Sequence, residues 1–475
     1  MPNGTTAHTT RRKLLKAVGA AGLGLAASGS ASAAAGDHEG FEFRTVIDMI
    51  EAGGDPDGEE PIDDLLYELV DDHTLLQFPP GEYKLEQFRN YTGEFGSYDP
   101  EKYLNLTDFG MKGHDASLVA PAGTGNEPGF FEQVWIDLRF TNGTLLEGFT
   151  FDNTAPNTGA GVTFGPYDRG VVRDIDVSGV YDGGTSGSPF IVWVPENESG
   201  TCRFQDVRLP DGLPRGTSYE TGTPGFFVFI GHRGVLELWD CVVEGFNNGV
   251  YHASPGRGGV QVEGGRYAHN NVAQVRVHGP RSHIKNVHMA IENVAEKHPN
   301  FENQRAVWVW RRKGLDIKNC TIDVLSPTDS QGAIVVRQAA GETAIENTDV
   351  RVDADGVPAV WATTPLEGEG PFGYGPAPPA GERGIDMKNV RITGNADGGG
   401  PFEPGRGAVL IEGRDGNRFK NCRVEQSGPN RDGVVFRSAD ASVRNTLIDV
   451  TGDPLVAENS DVETRNVRYG SSGAG

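Results

Sequence analysis

Cysteine, lysine and long apolar runs are scarce in this chain, and each scarcity excludes a class of protein. Four cysteines in 475 residues, at positions 202, 241, 320 and 422, are too few for a disulfide scaffold, and their spacing matches no zinc motif. Lysine occurs 11 times against 31 arginines and 66 acidic residues, and the formal net charge is −24. A chain of that sign lacks the basic footprint of a nucleic-acid-binding protein. Acid-rich, lysine-poor surfaces suit high salt, where self-repulsion is screened, so the composition reads as salt-adapted. No apolar run reaches the ~18 residues that would cross a bilayer, and membrane insertion is not expected. Helical apolar spacing is confined to Ile62–Val70, so a helical-repeat solenoid is excluded.

What the chain does contain is one short phrase, repeated. Ile284-Lys285-Asn286-Val287-His288-Met289 returns as Ile317-Lys318-Asn319-Cys320-Thr321-Ile322. It recurs at Ile345–Val350, Met387–Ile392, Phe419–Val424, Val443–Ile448 and, frayed, Thr464–Tyr469. Asp replaces Asn at Val172–Val177, Phe204–Leu209 and Leu238–Val243, and Gly replaces it at Leu146–Phe151 and Val262–Tyr267. The keyed residue therefore stands at 148, 174, 206, 240, 264, 286, 319, 347, 389, 421, 445 and 466, at irregular intervals averaging about 29. Repeats in this range mean a solenoid, a propeller or an array. Apolar positions alternate on each side of the key, which is a strand period. Asn, Asp and Gly tolerate the left-handed conformation of a sharp bend, and stacked Asn side chains can hydrogen-bond along the stack. One fixed bend per coil with variable connections elsewhere describes a right-handed parallel β-helix of about 12 coils, an all-β solenoid.

The ends fit this reading. Thr10-Arg11-Arg12-Lys13-Leu14-Leu15-Lys16, a short Ala/Gly-rich apolar run and Ala31-Ser32-Ala33 match a twin-arginine signal with a small-residue cleavage site. The expected division is a twin-arginine signal peptide over 1–35, an N-terminal cap and first strand over 36–100, and the parallel β-helix over 101–475. The protein is expected to be secreted. Ser117-Leu118-Val119-Ala120-Pro121 reads as the first coil. Three of the four cysteines follow the Asp or Asn key, where other coils carry Val or Ile, so buried free thiols are expected.

Ile62–Val70 followed by Thr74-Leu75-Leu76-Gln77-Phe78-Pro79-Pro80-Gly81-Glu82-Tyr83 resembles the opening of extracellular pectin-lyase-like β-helix proteins, here of a secreted, haloarchaeal type. That family begins with a capping helix and a strand ending in a Pro-Pro-Gly-x-Tyr turn. The resemblance implies an N-terminal capping helix over an otherwise open row of strand edges. Two family motifs are incomplete. Gly231-His232-Arg233 is similar to the Gly-His-Gly turn of polygalacturonases but departs at its third position, and no Asp pair accompanies it. Val134-Trp135-Ile136-Asp137 is similar to a pectate-lyase phrase, with Leu138 where that phrase has His.

A second strand precedes each keyed phrase, as in Val275-Arg276-Val277-His278, Val307-Trp308-Val309-Trp310 and Val335-Val336-Arg337. With Val and Ile inward, alternation points Arg276, His278, Trp308, Trp310, Arg337 and Glu412 outward. Seven of the eleven histidines lie between 232 and 298, among many arginines. This local basic island suits an acidic polysaccharide. Aromatic faces stack on sugar rings, and Arg meets carboxylates bidentately. A polysaccharide lyase needs a base, a carboxylate neutraliser and a proton donor. Candidate catalytic residues are His252, His269, Arg276 and His278. Candidate substrate-binding residues are Tyr251, Trp308, Trp310, Arg337 and Trp361. No metal site is assigned; the sequence requires no cofactor and leaves calcium open. The expectation is an exported protein acting on or binding an acidic polysaccharide, with β-elimination as its chemistry if it is an enzyme. A non-catalytic cell-surface or matrix β-helix protein and a glycoside hydrolase are the alternatives. Outward residues are expected to be removable without loss of core, unless covering loops turn the stripe into an external core.

Overall fold

The computed structural model describes residues 40–90, 104–125, 134–182, 187–195, 197–214, 223–253, 257–292, 304–312, 314–327, 329–367, 383–399 and 405–470. The twin-arginine segment and most of the Gly/Pro-rich stretch 366–381 lie outside them.

The keyed bends set the coil. All twelve keyed residues have φ between 49° and 77°, the left-handed region that Asn, Asp and Gly enter most readily. From Asn286 onward the key is always Asn, and the side chains form a ladder. Each Nδ2 donates to the Oδ1 of the preceding coil, in six bonds of 2.8–3.2 Å running from Asn319 to Asn466. From Asn286 onward, bend and ladder together hold each coil in register with the next.

Around each bend the chain runs in short parallel strands. The residue two before the key points inward, giving a column Ile284, Ile317, Ile345, Met387, Phe419 and Val443 in direct register. These residues belong to one core that extends along the whole stack, as expected for a solenoid whose neighbours bury each other. Among the described residues the strands flanking the bends make a broad sheet of 25 strands. The remaining strand of each coil joins a narrow sheet of 13, ordered along the chain from Phe88–Arg89 to Leu455–Glu458. Parallel strands joined by crossovers in one sheet are right-handed, and the fold is a right-handed parallel β-helix.

Among the described residues one helix, α1 (Asp63–Leu69), lies at the N-terminal end. Ile62, Leu66 and Val70 are buried at the 3–4 spacing seen in the sequence. In the Pro-Pro-Gly turn, a Cβ on Gly81 would lie 2.7 Å from the Pro56 carbonyl oxygen. The backbones approach too closely there for any other residue. Tyr83 is buried and donates its hydroxyl to the Pro79 carbonyl at 2.9 Å.

Stacking begins earlier than Ser117. Thr45–Asp48 pairs with Thr74–Phe78, which pairs with Thr107–Val119. The bends of these coils carry Pro79-Pro80 and Gly113-His114-Asp115 in place of a single keyed residue, so the repeated phrase does not reveal them. All four cysteines are free and buried. Cys241, Cys320 and Cys422 each direct Sγ to a carbonyl of the preceding coil, on Phe204, Ile284 and Met387, at 3.5–3.7 Å. Burial raises all four thiol pKa values, those of Cys320 and Cys422 to about 11. Among the described residues no helix is long and apolar enough to cross a membrane.

Candidate functional site

The outer face of the narrow sheet carries the sequence-derived stripe. Val250 pairs with Val275, and Val275 with Val307; all three enter the main core. The next residues, Tyr251, Arg276 and Trp308, therefore face out side by side. They do not face open solvent. Trp308 and Trp310 are 8% and 6% exposed and pack with Val272, Ala273 and Tyr251 in a cluster separate from the main core.

Arginine fills the spaces between these rings. The Arg276 guanidinium carbon lies 3.9 Å from the centroids of both Trp308 and Trp310, and 4.2 Å from Tyr251. Arg305 sits over Trp308 at 4.1 Å and Arg311 over Trp310 at 3.8 Å. Three cations thus alternate with three rings, and desolvated contacts of this kind contribute about 2 kcal/mol each. Arg311 also donates to the Ala253 carbonyl at 3.3 Å, and Arg305 to the Gln331 side chain at 2.6 Å. Half-buried Arg337 reaches the same Gln331 oxygen at 3.4 Å, so it is tied to the stack. Trp361 lies two strands beyond Trp308 in the same outward column. It is half-buried and donates Nε1 to Glu412 at 2.9 Å.

The histidines divide. His252 pairs with Val228 and is fully buried, because its neighbour Tyr251 takes the outward position. Its ring stacks on that of His278, with centroids 4.3 Å apart and planes within 8°. His232 meets His252 edge-to-face at 5.9 Å. The three form a buried column beside the C-terminal ends of neighbouring narrow-sheet strands. His232 accepts at Nδ1 from the Val194 N–H, and its Nε2 faces the Gly259 carbonyl at 2.9 Å. It is therefore the neutral Nε2–H tautomer, and burial pulls its pKa down to about 4. Burial also depresses His252 well below its ordinary value, with His278, His232 and Arg311 acting in the same direction. His269 stands apart, half-buried at a corner of the broad sheet with φ 55°. The structure thus brings Tyr251, Arg276, Trp308, Trp310 and His278 together and ties Arg337 to them. His252 lies behind the stack, and His269 and Trp361 lie outside it. Of the histidine group, His298 lies outside the described residues.

The row of rings extends further than sequence reasoning placed it. Phe140 meets Tyr167 at 5.5 Å and Trp193 at 6.3 Å. Trp193 meets Phe229 at 5.2 Å, Phe229 meets Phe227 at 6.1 Å, and Phe227 meets Tyr251 at 5.5 Å. The chain of contacts then passes through Trp310 to Trp308. Tyr167, Phe227, Phe229 and Tyr251 remain partly exposed, and Ile230 beside them is 60% exposed. Alternation within Ile191-Val192-Trp193-Val194 and Phe227-Val228-Phe229-Ile230 was the signal that could have shown this half of the face. Among the described residues no group of His, Cys, Asp and Glu is arranged to hold a metal ion.

No protein-family model and no curated protein matches this chain. Among solved structures it is similar to the A-module of the Azotobacter vinelandii mannuronan C-5 epimerase AlgE6, at 14% identity over 89% of this chain and 98% of that one, with a TM-score of 0.42. The Streptococcus pneumoniae surface adhesin PfbA gives 10% identity over 89% and 91%, with a TM-score of 0.43. A Yersinia enterocolitica family 28 exopolygalacturonase gives 9% over 90% and 79%, with a TM-score of 0.27.

Proposed function

We propose that this is an exported β-helix protein that binds an acidic polysaccharide along the outer face of its narrow sheet. The observation that carries the reading is the continuous row of rings from Phe140 to Trp308, interleaved with Arg276, Arg305 and Arg311. Partly exposed Tyr167, Phe227, Phe229 and Tyr251 offer faces to successive sugar rings. Binding without bond cleavage is favoured over β-elimination. A lyase base must reach the substrate, whereas His232 and His252 are fully buried, with their pKa values depressed. Hydrolysis needs two positioned carboxylates; on this face Asp137 is fully buried in an ion pair with Arg139, and Glu412 is held by Trp361 and Arg437.

The test is affinity electrophoresis of the folded protein in gels containing polygalacturonate or neutral dextran, alongside ultraviolet detection of unsaturated uronates. The reading expects retardation by polygalacturonate, less retardation for Phe227→Ala and Tyr251→Ala, and no new chromophore. Retardation unchanged by both substitutions would place binding elsewhere, and a growing chromophore would replace the binding reading with a lyase.

A second reading is favoured by one observation, the burial of Arg276, Trp308 and Trp310 to 9% exposure or less. On that reading the stack is an outer core that fixes the surrounding connections, and only the Tyr167–Tyr251 half of the row meets ligand.

A further inference from the structure

A different face carries charge in an order that composition would not produce. The residue before each key points outward on the broad sheet. In direct register these residues are Trp239, Glu263, Lys285, Lys318, Glu346 and Lys388, followed by Lys420, Arg444 and Arg465. Four of the chain's eleven lysines stand in this one column. Two residues after the key a second outward column runs Asp349, Arg391, Arg423, Leu447 and Arg468. Over the last four bends, Asn389 to Asn466, every charged residue in both columns is a cation.

These cations are exposed and flank the exposed amide ladder on both sides. Some are held by acids at the margins: Lys388 by Glu346, Arg391 and Arg423 by Glu425 at 3.5 and 3.1 Å, and Arg444 by Glu463 at 3.0 Å. Lys420, Arg465 and Arg468 make no ion pair among the described residues. In a protein of net charge −24, a two-column cationic strip is set against the overall field.

We propose that this strip is a second binding surface, for one strand of a linear polyanionic polysaccharide lying along the stack over the Asn ladder. Cations in a column recur at the strand spacing, about 4.8 Å. A polyuronate carries one carboxylate per ring, and its ring-to-ring rise is close to that spacing. The ladder amides beneath present donors and acceptors to hydroxyls, while the cations meet the carboxylates. A nucleic-acid strand fits less well, because single-strand sites stack bases on aromatic platforms and neither column carries a ring between Asn389 and Asn466. The inference does not rest on the narrow-sheet reading, which concerns another face and other residues.

The test is a triple variant, Lys420→Gln/Arg465→Gln/Arg468→Gln, assayed by titration calorimetry against polygalacturonate from 0.05 to 0.5 M salt. All three side chains are exposed, so the fold should persist, and a thermal melt matching the parent establishes this. Affinity at about 0.1 M salt should fall about tenfold or more, and the salt dependence should become shallower. Phe227→Ala in the same assay should keep the parent's salt slope, so failure of either surface is seen separately. A triple variant that binds polygalacturonate as the parent does at every salt concentration overturns the proposal. So does parent protein that prefers single-stranded DNA or anionic phosphatidylserine vesicles to polygalacturonate and loses that preference in the variant.

Discussion

Replacing Trp308 by alanine separates a packed outer core from an open binding stripe. The ring is 8% exposed and lies between the guanidinium groups of Arg276 and Arg305 at 3.9 and 4.1 Å. Truncating a tryptophan buried to this degree costs about 3–5 kcal/mol through lost transfer energy and the space left behind. That range already includes the two cation–ring contacts of at most about 2 kcal/mol each. Arg276 keeps Trp310 and Tyr251, so its charge is not stranded and the upper end of the range should not be exceeded. In a solenoid, damage is felt first by neighbouring coils. Amide exchange in Ala273–Arg276 and Ile334–Ala340 should therefore accelerate by about two orders of magnitude or more, with a lower urea midpoint. Trp308→Phe should recover part of the loss. Exchange rates and midpoint equal to the parent's would refute this reasoning and return Trp308 to the open stripe expected from alternation alone.

Asn389→Gly keeps the left-handed bend and loses ladder bonds to Asn347 and Asn421, whereas Asn389→Ala also forces alanine to φ 54°. The alanine variant should be less stable than the glycine variant by about 1–2 kcal/mol, as read by chemical unfolding; equal losses would deny the bend its role. His232 has a folded pKa of about 4 against 6.5 when unfolded, so neither state is protonated above pH 6.5 and the group has no effect there. As pH falls below 6.5 the unfolded chain gains a proton that the folded chain refuses. Stability is then lost, by about 3 kcal/mol at pH 4, and the His232 ring signals in a proton titration should stay neutral to about pH 5. The net charge of −24 predicts a melting temperature that rises from dilute buffer to molar salt, as the Debye length falls from about 30 to about 3 Å; a flat response counts against salt adaptation.

The fold was legible because one residue per coil must bend the chain. A left-handed bend admits few residue types, so Asn, Asp and Gly mark it even when the connections differ in length. The bends at Pro79-Pro80 and Gly113-His114-Asp115 are longer than one residue, although Asp115 is itself left-handed at φ 52°, and the stretched phrase hid the first coils. Alternation put Arg276 and Trp308 on one outward face, and register adds Tyr251 beside them. It did not show that Arg276 would be enclosed by three rings, because burial there depends on packing between coils far apart in sequence. His252 illustrates the limit of grouping by residue type: one position from Tyr251, it occupies the opposite side of the strand and lies fully buried. The cationic strip was present in the repeated phrase itself, in Lys285, Lys318, Lys388 and Lys420. It becomes a surface only once register stacks those positions.

The narrow-sheet face of rings is proposed to hold an acidic polysaccharide. The most direct measurement is the chemical-shift or hydrogen-exchange footprint of the folded protein titrated with polygalacturonate oligomers. Protection should appear at Phe226–Val228 and Asn248–His252, whose outward residues are Phe227 and Tyr251. Dextran should give none. A footprint that leaves both strands unchanged while the protein binds the oligomer would contradict the account.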